Sequence, residues 1–434
     1  MMTQKWDVII IGGGLAGFTA ANYLAKKDLS VLLLEKDNTV GGRAKTNRIK
    51  GKYFNLGPHA LYNKGKAMSI LEELDINLYG NSPSLAGILI ENDIEYTAPF
   101  HFFSAMSTNL LNWKERIEWA AVLTKTTHLN TDLLAEHTFE QWVKEMTNSK
   151  KVQSLLFVLG RLVSYCHAPE QTSAKIIVAN LKSALGGVRY IDGGWQTIID
   201  QLHNKAVISG IQVQSNTVVK QLIPIEHEQI LVNCSNGDEI YGKYVISTVG
   251  PQELVAMLGD KINPQQKSFL SSIKTVKGAT FDISLTHLPN TKRLFAMDME
   301  HPYYYSVHSN YAKLSDDGKG VVLHVFKYHH PDHPIEAIEV KHELEQFLNK
   351  LQPGWQQCVI SSRFMPQITV NQRLPRIGDE QKLSRYNSAT PGLYIAGDWA
   401  SPEHILADGA VSSGKQAAED IILNTRRKDL ANYK

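Results

Sequence analysis

Cysteine is scarce in this 434-residue chain: Cys166, Cys234 and Cys358 are the only three, and they stand far apart. No C-x-x-C pair occurs, which argues against a zinc site, a redox-active dithiol and the disulfide framework of a small secreted domain. Charge of one sign is lacking as well. The formal net charge is +2, so no global field marks a nucleic-acid binder. No uninterrupted apolar run is long enough to span a bilayer. Internal repeats and low-complexity tracts are missing too. Only Met1 to Trp6 precede the first strand-like stretch, so no signal peptide is expected there. The resulting expectation is a cytoplasmic protein, with peripheral membrane contact left open and no sign of oligomeric state. A chain of this length predicts two domains.

The clearest pattern that is present lies near the N-terminus. Val8 to Ile11 reads as a fully buried strand, Leu15 to Lys26 has helical apolar spacing, and Val31 to Leu34 reads as a second buried strand ending on Glu35. Between the first strand and the helix, Gly12, Gly14 and Gly17 stand in G-x-G-x-x-G spacing. Gly12 permits a tight turn, Gly14 lets backbone approach a pyrophosphate, and Gly17 lets the helix lie close against the strand. The helix start at Leu15 and Ala16 supplies orphan N–H groups and a partial positive charge. Glu35 sits where a carboxylate accepts hydrogen bonds from a ribose. Alone, the glycine spacing is a weak signal, because glycine-rich turns occur by chance. Here strand, glycines, helix, strand and acid arrive in order, and together they predict an adenine dinucleotide site.

Gly41, Gly42 and Arg43 follow, again suggesting backbone pressed against a ligand with a guanidinium beside it. Residues 54–60 (FNLGPHA) read as a strand end opening into a rigid loop. An ordinary surface turn is the plain alternative for either piece taken alone. Residues 94–119 concentrate aromatic and aliphatic side chains. They read as core, as an apolar substrate tunnel, or as a patch that rests on a membrane surface. The run from His329 to Pro334 (HHPDHP) tempts a metal assignment. Its prolines place it in a loop, with His333 as a helix N-cap, and no full ligand set completes a metal site.

GGGLAG, then GGRA and FNLGPHALY, then GLYIAGDW and LADGAVSSG at residues 392–399 and 406–414, resemble the flavin-containing amine oxidase superfamily. That group includes monoamine and polyamine oxidases, protoporphyrinogen oxidases and phytoene-type carotenoid desaturases. The resemblance implies an α/β fold. A Rossmann-type FAD-binding domain would carry a second α+β substrate domain built on an antiparallel sheet. Residues 1–90, 186–258 and 370–434 would form the FAD-binding domain. Residues 91–185 would be the helical part and 259–369 the sheet part of the substrate domain.

Carried over residue by residue, the FAD contacts are Gly12, Gly14, Leu15, Ala16, Gly17, Glu35, Gly42, Arg43, Gly57, Pro58 and His59. Val219 is added where a valine backbone meets adenine, and Thr248 where a strand closes beside the nucleotide. Gly397 and Asp398 fall at the ribityl chain. Gly409 and Ala410 fall at the start of a helix from Val411 to Ile421 that faces the pyrimidine edge.

Departures from the family pattern matter. Thr39 replaces a common arginine, leaving phosphate contacts to Lys36 and Arg43. Asn55 replaces a common aspartate, which changes how the following loop is fastened. Lys274 and Lys277 both miss the register of the lysine that amine-oxidising members keep near flavin N5, and no catalytic side chain is assigned. No second G-x-G-x-x-G appears, so no dedicated nicotinamide domain is expected. The implied reaction is hydride loss from a C–H bond of an apolar or polycyclic small molecule to flavin N5. Amine oxidation is the alternative within the family, and a non-enzymatic prenyl-binding role, like that of GDP-dissociation inhibitors and Rab escort proteins, is the alternative outside enzymes.

Overall fold

The computed structural model describes residues 5–84, 86–225, 229–386 and 389–432. Two seven-stranded sheets organise them. The strand Lys5–Ile11 lies inside the first sheet. It pairs in parallel with Val31–Leu34 on one side and Glu239–Ser247 on the other. Gln212–Gln214 and Leu393–Ile395 extend the parallel layer. Val8, Ile10, Val31 and Leu33 pack against the helices Leu15–Leu24, Gln196–Ile208 and Leu406–Asn432. Ile9, Ile11, Leu32 and Leu34 pack on the other side with residues of Pro251–Leu258 and Pro264–Ser272. The continuous apolar runs follow from that arrangement, because a parallel strand covered by helices on both faces has no wet side. Ile230–Cys234 and Val219–Pro224 add an antiparallel extension to the lower half of Glu239–Ser247.

The second sheet runs in the order Val359–Asn371, Val276–Leu285, Val321–Tyr328, Tyr303–Ser306, Phe295–Asp298, Ile88–Glu91, Ile94–Thr97. Only the pair Phe295–Asp298 with Ile88–Glu91 is parallel. One face is covered by the helix Ala337–Leu351. The other carries a helical layer that includes Trp113–His128, Phe139–Met146, Lys150–Ser164 and Ala174–Ala184.

Three domain boundaries move. Ile88–Glu91 pairs in the second sheet, so the first FAD-domain segment ends before residue 88 rather than at 90. Phe269, Leu270 and Ile273 pack beneath the first sheet, so the next crossover follows residue 273 rather than 258. Val359–Asn371 stays in the second sheet to its last residue, past the expected break at 369. The chain turns at Asn216, whose φ is +56°, between the strands Gln212–Gln214 and Val219–Pro224. His333 is not a helix N-cap. The helix begins at Ala337 after Glu336, and His333 stacks on His330 at 4.0 Å.

The aromatic segment divides. Asn112 caps Trp113–His128 in a reciprocal box with Glu115. Leu110, Leu111 and Trp119 are buried, whereas Phe102, Phe103, Met106, Trp113 and Ile117 are more than half exposed.

Candidate cofactor cradle and the seam behind it

The glycine turn is built by close approach. A Cβ on Gly17 would lie 2.0 Å from the Gly12 carbonyl oxygen, and one on Gly12 would lie 2.3 Å from Thr248 Oγ1. Gly12 also holds a φ of +106°, a conformation that side chains oppose. Thr248 donates its hydroxyl to Ile11 O at 2.8 Å, so it braces the turn from the neighbouring strand.

Gly14 differs. The nearest atom to a Cβ there is Gly41 O at 3.9 Å, which leaves a slot between the two glycine runs. Gly41 N–H donates to Gly13 O at 2.7 Å and ties the second run beside the first. The helix Leu15–Leu24 starts with no side-chain cap and no acid in its first turn, and Phe18 N–H is the donor that closes on Gly14 O. The N–H groups of Leu15, Ala16 and Gly17 are therefore the orphans of that helix end, a setting suited to a diphosphate.

Glu35 stands at the rim. Its Oε2 accepts from Gly13 N–H at 2.7 Å and its Oε1 from Asp37 N–H at 2.9 Å, and the side chain is buried. Each oxygen retains a lone pair for a ribose hydroxyl. Thr217 N–H donates to Glu35 O, which sets Val219 two residues beyond the rim. Val219 itself is buried with Ile11 and Leu34.

The charged residues are placed differently from expectation. Lys36 is 60% exposed and pairs with Glu253 at 3.3 Å. Arg43 grips Asp398 with two hydrogen bonds, at 2.5 and 2.7 Å, and donates to Val370 O at 3.1 Å. Burial opposes the Arg43 charge, yet the Asp398 carboxylate outweighs it and holds the guanidinium above its ordinary pKa. Gln372 N–H adds a third bond to Asp398, at 3.0 Å. Asn55 fastens its loop as an aspartate would, through one oxygen that accepts from Trp195 N–H and from Thr46 Oγ1.

The last helix begins earlier than expected, at Leu406 rather than Val411. Gly409 N–H already closes on Ile405 O at 3.0 Å, so the free donors of this helix end precede Gly409 and Ala410. A Cβ on Gly409 would sit 2.8 Å from Asp398 O, and one on Gly414 would sit 2.4 Å from Ala16 O. Those two contacts press the C-terminal helix against both Asp398 and the glycine-turn helix. Gly397, at φ +129°, is locked to Ser413 by a 2.9 Å bond. Asp408 turns away and caps the helix Lys66–Glu73 through Ala67 N–H at 2.8 Å.

Behind the cradle the 57–59 loop meets the second sheet. A Cβ on Gly57 would lie 2.8 Å from Ile368 Cδ1, and Tyr165 donates its hydroxyl to Pro58 O at 2.6 Å. His59 Nδ1 lies 3.1 Å from Gly57 O and its ring packs on Trp195. Burial drives the His59 pKa down to about 4.

Beyond it runs a buried polar seam that motif reading missed. Asp282 Oδ1 meets His324 Nδ1 at 2.6 Å and Thr280 Oγ1 at 2.5 Å, while Arg363 bonds Asp282 Oδ2. Tyr165, Phe326, Tyr328 and Tyr304 wall the seam with edge-on ring contacts. A sequence signal existed. Asp282 and His324 stand amid the apolar residues of two strands, Val276–Leu285 and Val321–Tyr328, and buried ionisable groups call for partners.

A family model described as flavin-containing amine oxidoreductase matches residues 15–422. Among curated relatives, UDP-galactopyranose mutase of Mycoplasma pneumoniae is 33% identical over 104 residues, 23% of this chain and 25% of that protein. The chain thus spans a quarter of that relative's length. The 4,4'-diaponeurosporene oxygenase of Staphylococcus haemolyticus is 21% identical over 358 residues, covering 73% of this chain and 68% of that one. Among solved structures, a putative protoporphyrinogen oxidase from Exiguobacterium superposes with a TM-score of 0.74 at 20% identity, over 98% of this chain and 100% of the other.

Proposed function

Because the chain belongs to the flavin-containing amine oxidoreductase family, we propose that it is an FAD-dependent oxidoreductase that removes a hydride from a C–H bond of an apolar or polycyclic small molecule. One observation carries the dinucleotide part of this reading. The slot over Gly14 is lined by an uncapped helix end and rimmed by the buried Glu35, whose oxygens keep lone pairs free. That donor set fits a diphosphate joined to a ribose. When bound, the flavin accepts the hydride and its two electrons.

The chain's own residues divide the remaining work. Asp398, pinned by Arg43 and Gln372, offers its spare lone pairs to ribityl hydroxyls. The start of Leu406–Asn432 turns a positive helix end toward the charge that develops on reduction. The edge-packed rings of Tyr165, Tyr304, Phe326 and Tyr328 exclude water from the seam. Lys274 is tied to Asp332 at 2.7 Å and is 39% exposed, which sets it apart from the lysine that amine-oxidising members keep near the flavin.

The cluster of Phe102, Phe103, Met106, Trp113 and Ile117 suits an apolar substrate taken from a bilayer surface. No helix among the described residues is long and apolar enough to cross a membrane, so this contact is peripheral. The direct test is anaerobic mixing of the FAD-loaded protein with protoporphyrinogen, phytoene or benzylamine. The reading expects bleaching of flavin absorbance by one of the first two. Rapid bleaching by benzylamine alone would overturn the C–H assignment.

A further inference from the structure

The helix Lys150–Ser164 ends on a strained residue. Tyr165 caps it at φ +56° and ψ +19°, the left-handed conformation in which a Cβ crowds its own backbone. Glycine or asparagine ordinarily fills such a place at a helix end. Local bonds lock the turn. Tyr165 N–H closes on Arg161 O at 2.8 Å, while Ser164 Oγ donates to Gly160 O at 2.7 Å and accepts from Cys166 N–H at 3.2 Å. Those bonds would hold a glycine equally well, so they do not account for the tyrosine.

The side chain does. Its ring reaches from the helix end to the second sheet, edge-on to Phe326 at 5.8 Å and to Tyr328 at 6.1 Å, both on the strand Val321–Tyr328. The hydroxyl then donates to Pro58 O at 2.6 Å, 107 positions away in the chain. Proline has no N–H, so the carbonyl is the one backbone polar group by which residue 58 can be held. Tyr165 takes it. The phenol is half-buried, and burial pushes its hydroxyl well above the ordinary tyrosine range, so it remains a donor near neutrality.

The 57–59 loop is otherwise held from its flanks. Gly57, at φ +95°, runs close to Ile368, and Gly57 N–H closes on Asn55 O at 2.9 Å. The His59 ring rests on Trp195 with centroids 5.1 Å apart. Tyr165 thus joins three elements: the end of a substrate-domain helix, the second sheet and the middle of a loop on the cofactor side.

We propose that Tyr165 is a positioning residue for the cofactor: it holds the 57–59 loop in place for FAD and couples loading of the cradle to the end of the helix Lys150–Ser164. This rests on the FAD-dependent reading above, in which Gly57, Pro58 and His59 are cofactor contacts. A loop already pinned at Pro58 O loses less freedom when FAD arrives. The linkage is reciprocal, so bound FAD steadies the loop and, through the phenol, the helix end.

Two variants of the full chain separate this role from simple packing. Tyr165→Phe keeps the ring contacts and removes only the hydroxyl. Tyr165→Asn suits the left-handed turn but is too short to reach Pro58. FAD titration of the apoprotein, read by quenching of flavin fluorescence, is expected to show affinity about three- to tenfold weaker in Tyr165→Phe, the range set by one neutral hydrogen bond. Tyr165→Asn should lose at least as much despite its relaxed backbone. A hydroxyl that only stabilised the fold would lower apoprotein melting and leave FAD affinity unchanged.

Hydrogen exchange reads the coupling without any substrate. In the wild type, amides of residues 161–168 should exchange more slowly once FAD is added, and Tyr165→Phe should lose that response. Wild-type FAD affinity in Tyr165→Phe would overturn the positioning role, whatever its melting temperature. A protection response that persists in that variant would overturn the coupling. A wild-type protein that binds no FAD would instead refute the underlying function, and the proposal with it.

Discussion

Glu35→Gln is the sharpest single perturbation of the cradle. Both oxygens of Glu35 accept a backbone N–H, from Gly13 at 2.7 Å and from Asp37 at 2.9 Å. Glutamine has one acceptor oxygen, so its amide must point two hydrogens at one of those donors. The cost is one charge-assisted hydrogen bond plus a buried N–H left unsatisfied, together about 2–3 kcal/mol. The same lone pairs are those offered to the adenosine ribose. A weakening of about 2 kcal/mol in binding corresponds to a roughly thirtyfold rise in Kd. FAD titration of the apoprotein, followed by quenching of flavin fluorescence, reads it directly. FMN lacks the adenosine and should bind within about twofold of wild type, which separates loss of the ribose contact from general damage. Equal FAD affinity and equal melting temperature in Glu35→Gln would refute the assignment of this carboxylate.

Two glycines on the same turn should behave oppositely. Gly17→Ala drives a methyl to 2.0 Å from Gly12 O, so a large loss of apoprotein stability is expected in thermal melts. Gly14→Ala meets nothing closer than 3.9 Å, so melting should be nearly unchanged while FAD affinity falls. His59 predicts a pH dependence. Its folded pKa is about 4 against 6.5 for the free side chain, so the unfolded chain takes up the proton first. Stability from this residue is complete above pH 6.5 and is lost as pH falls toward 4, by at most about 3 kcal/mol. His59→Gln should flatten the wild-type slope of melting temperature in that window. Phe102→Ser with Phe103→Ser should reduce co-sedimentation with phospholipid vesicles, and leave melting almost unchanged because both rings are over 70% exposed.

Contiguous motifs were readable because the chemistry they serve is local. Gly12, Gly14 and Gly17 share one turn, and Glu35 ends the adjacent strand, so spacing alone conveyed their proximity. The Arg43–Asp398 pair spans 355 positions, and nothing local distinguishes an arginine free for phosphate from one already held by a carboxylate. The Lys36–Glu253 pair is equally hidden from local reading. Glu253 arrives from the helix Pro251–Leu258, 217 positions along the chain. The helix at Leu406 begins with that residue at φ +57°, a conformation no propensity scale assigns to leucine. Composition flagged residues 94–119 as apolar but could not divide buried Trp119 from exposed Trp113, since helical facing depends on what lies behind. The seam was least legible, because Asp282, His324 and Arg363 are brought together only by strand register.

The central claim is that the two ends of the chain close on one flavin dinucleotide. The visible spectrum of the purified full chain, taken before and after incubation with FAD and gel filtration, tests it most directly. A flavin spectrum with about one FAD retained per chain is the predicted result. A colourless protein that retains no FAD after reconstitution would contradict it.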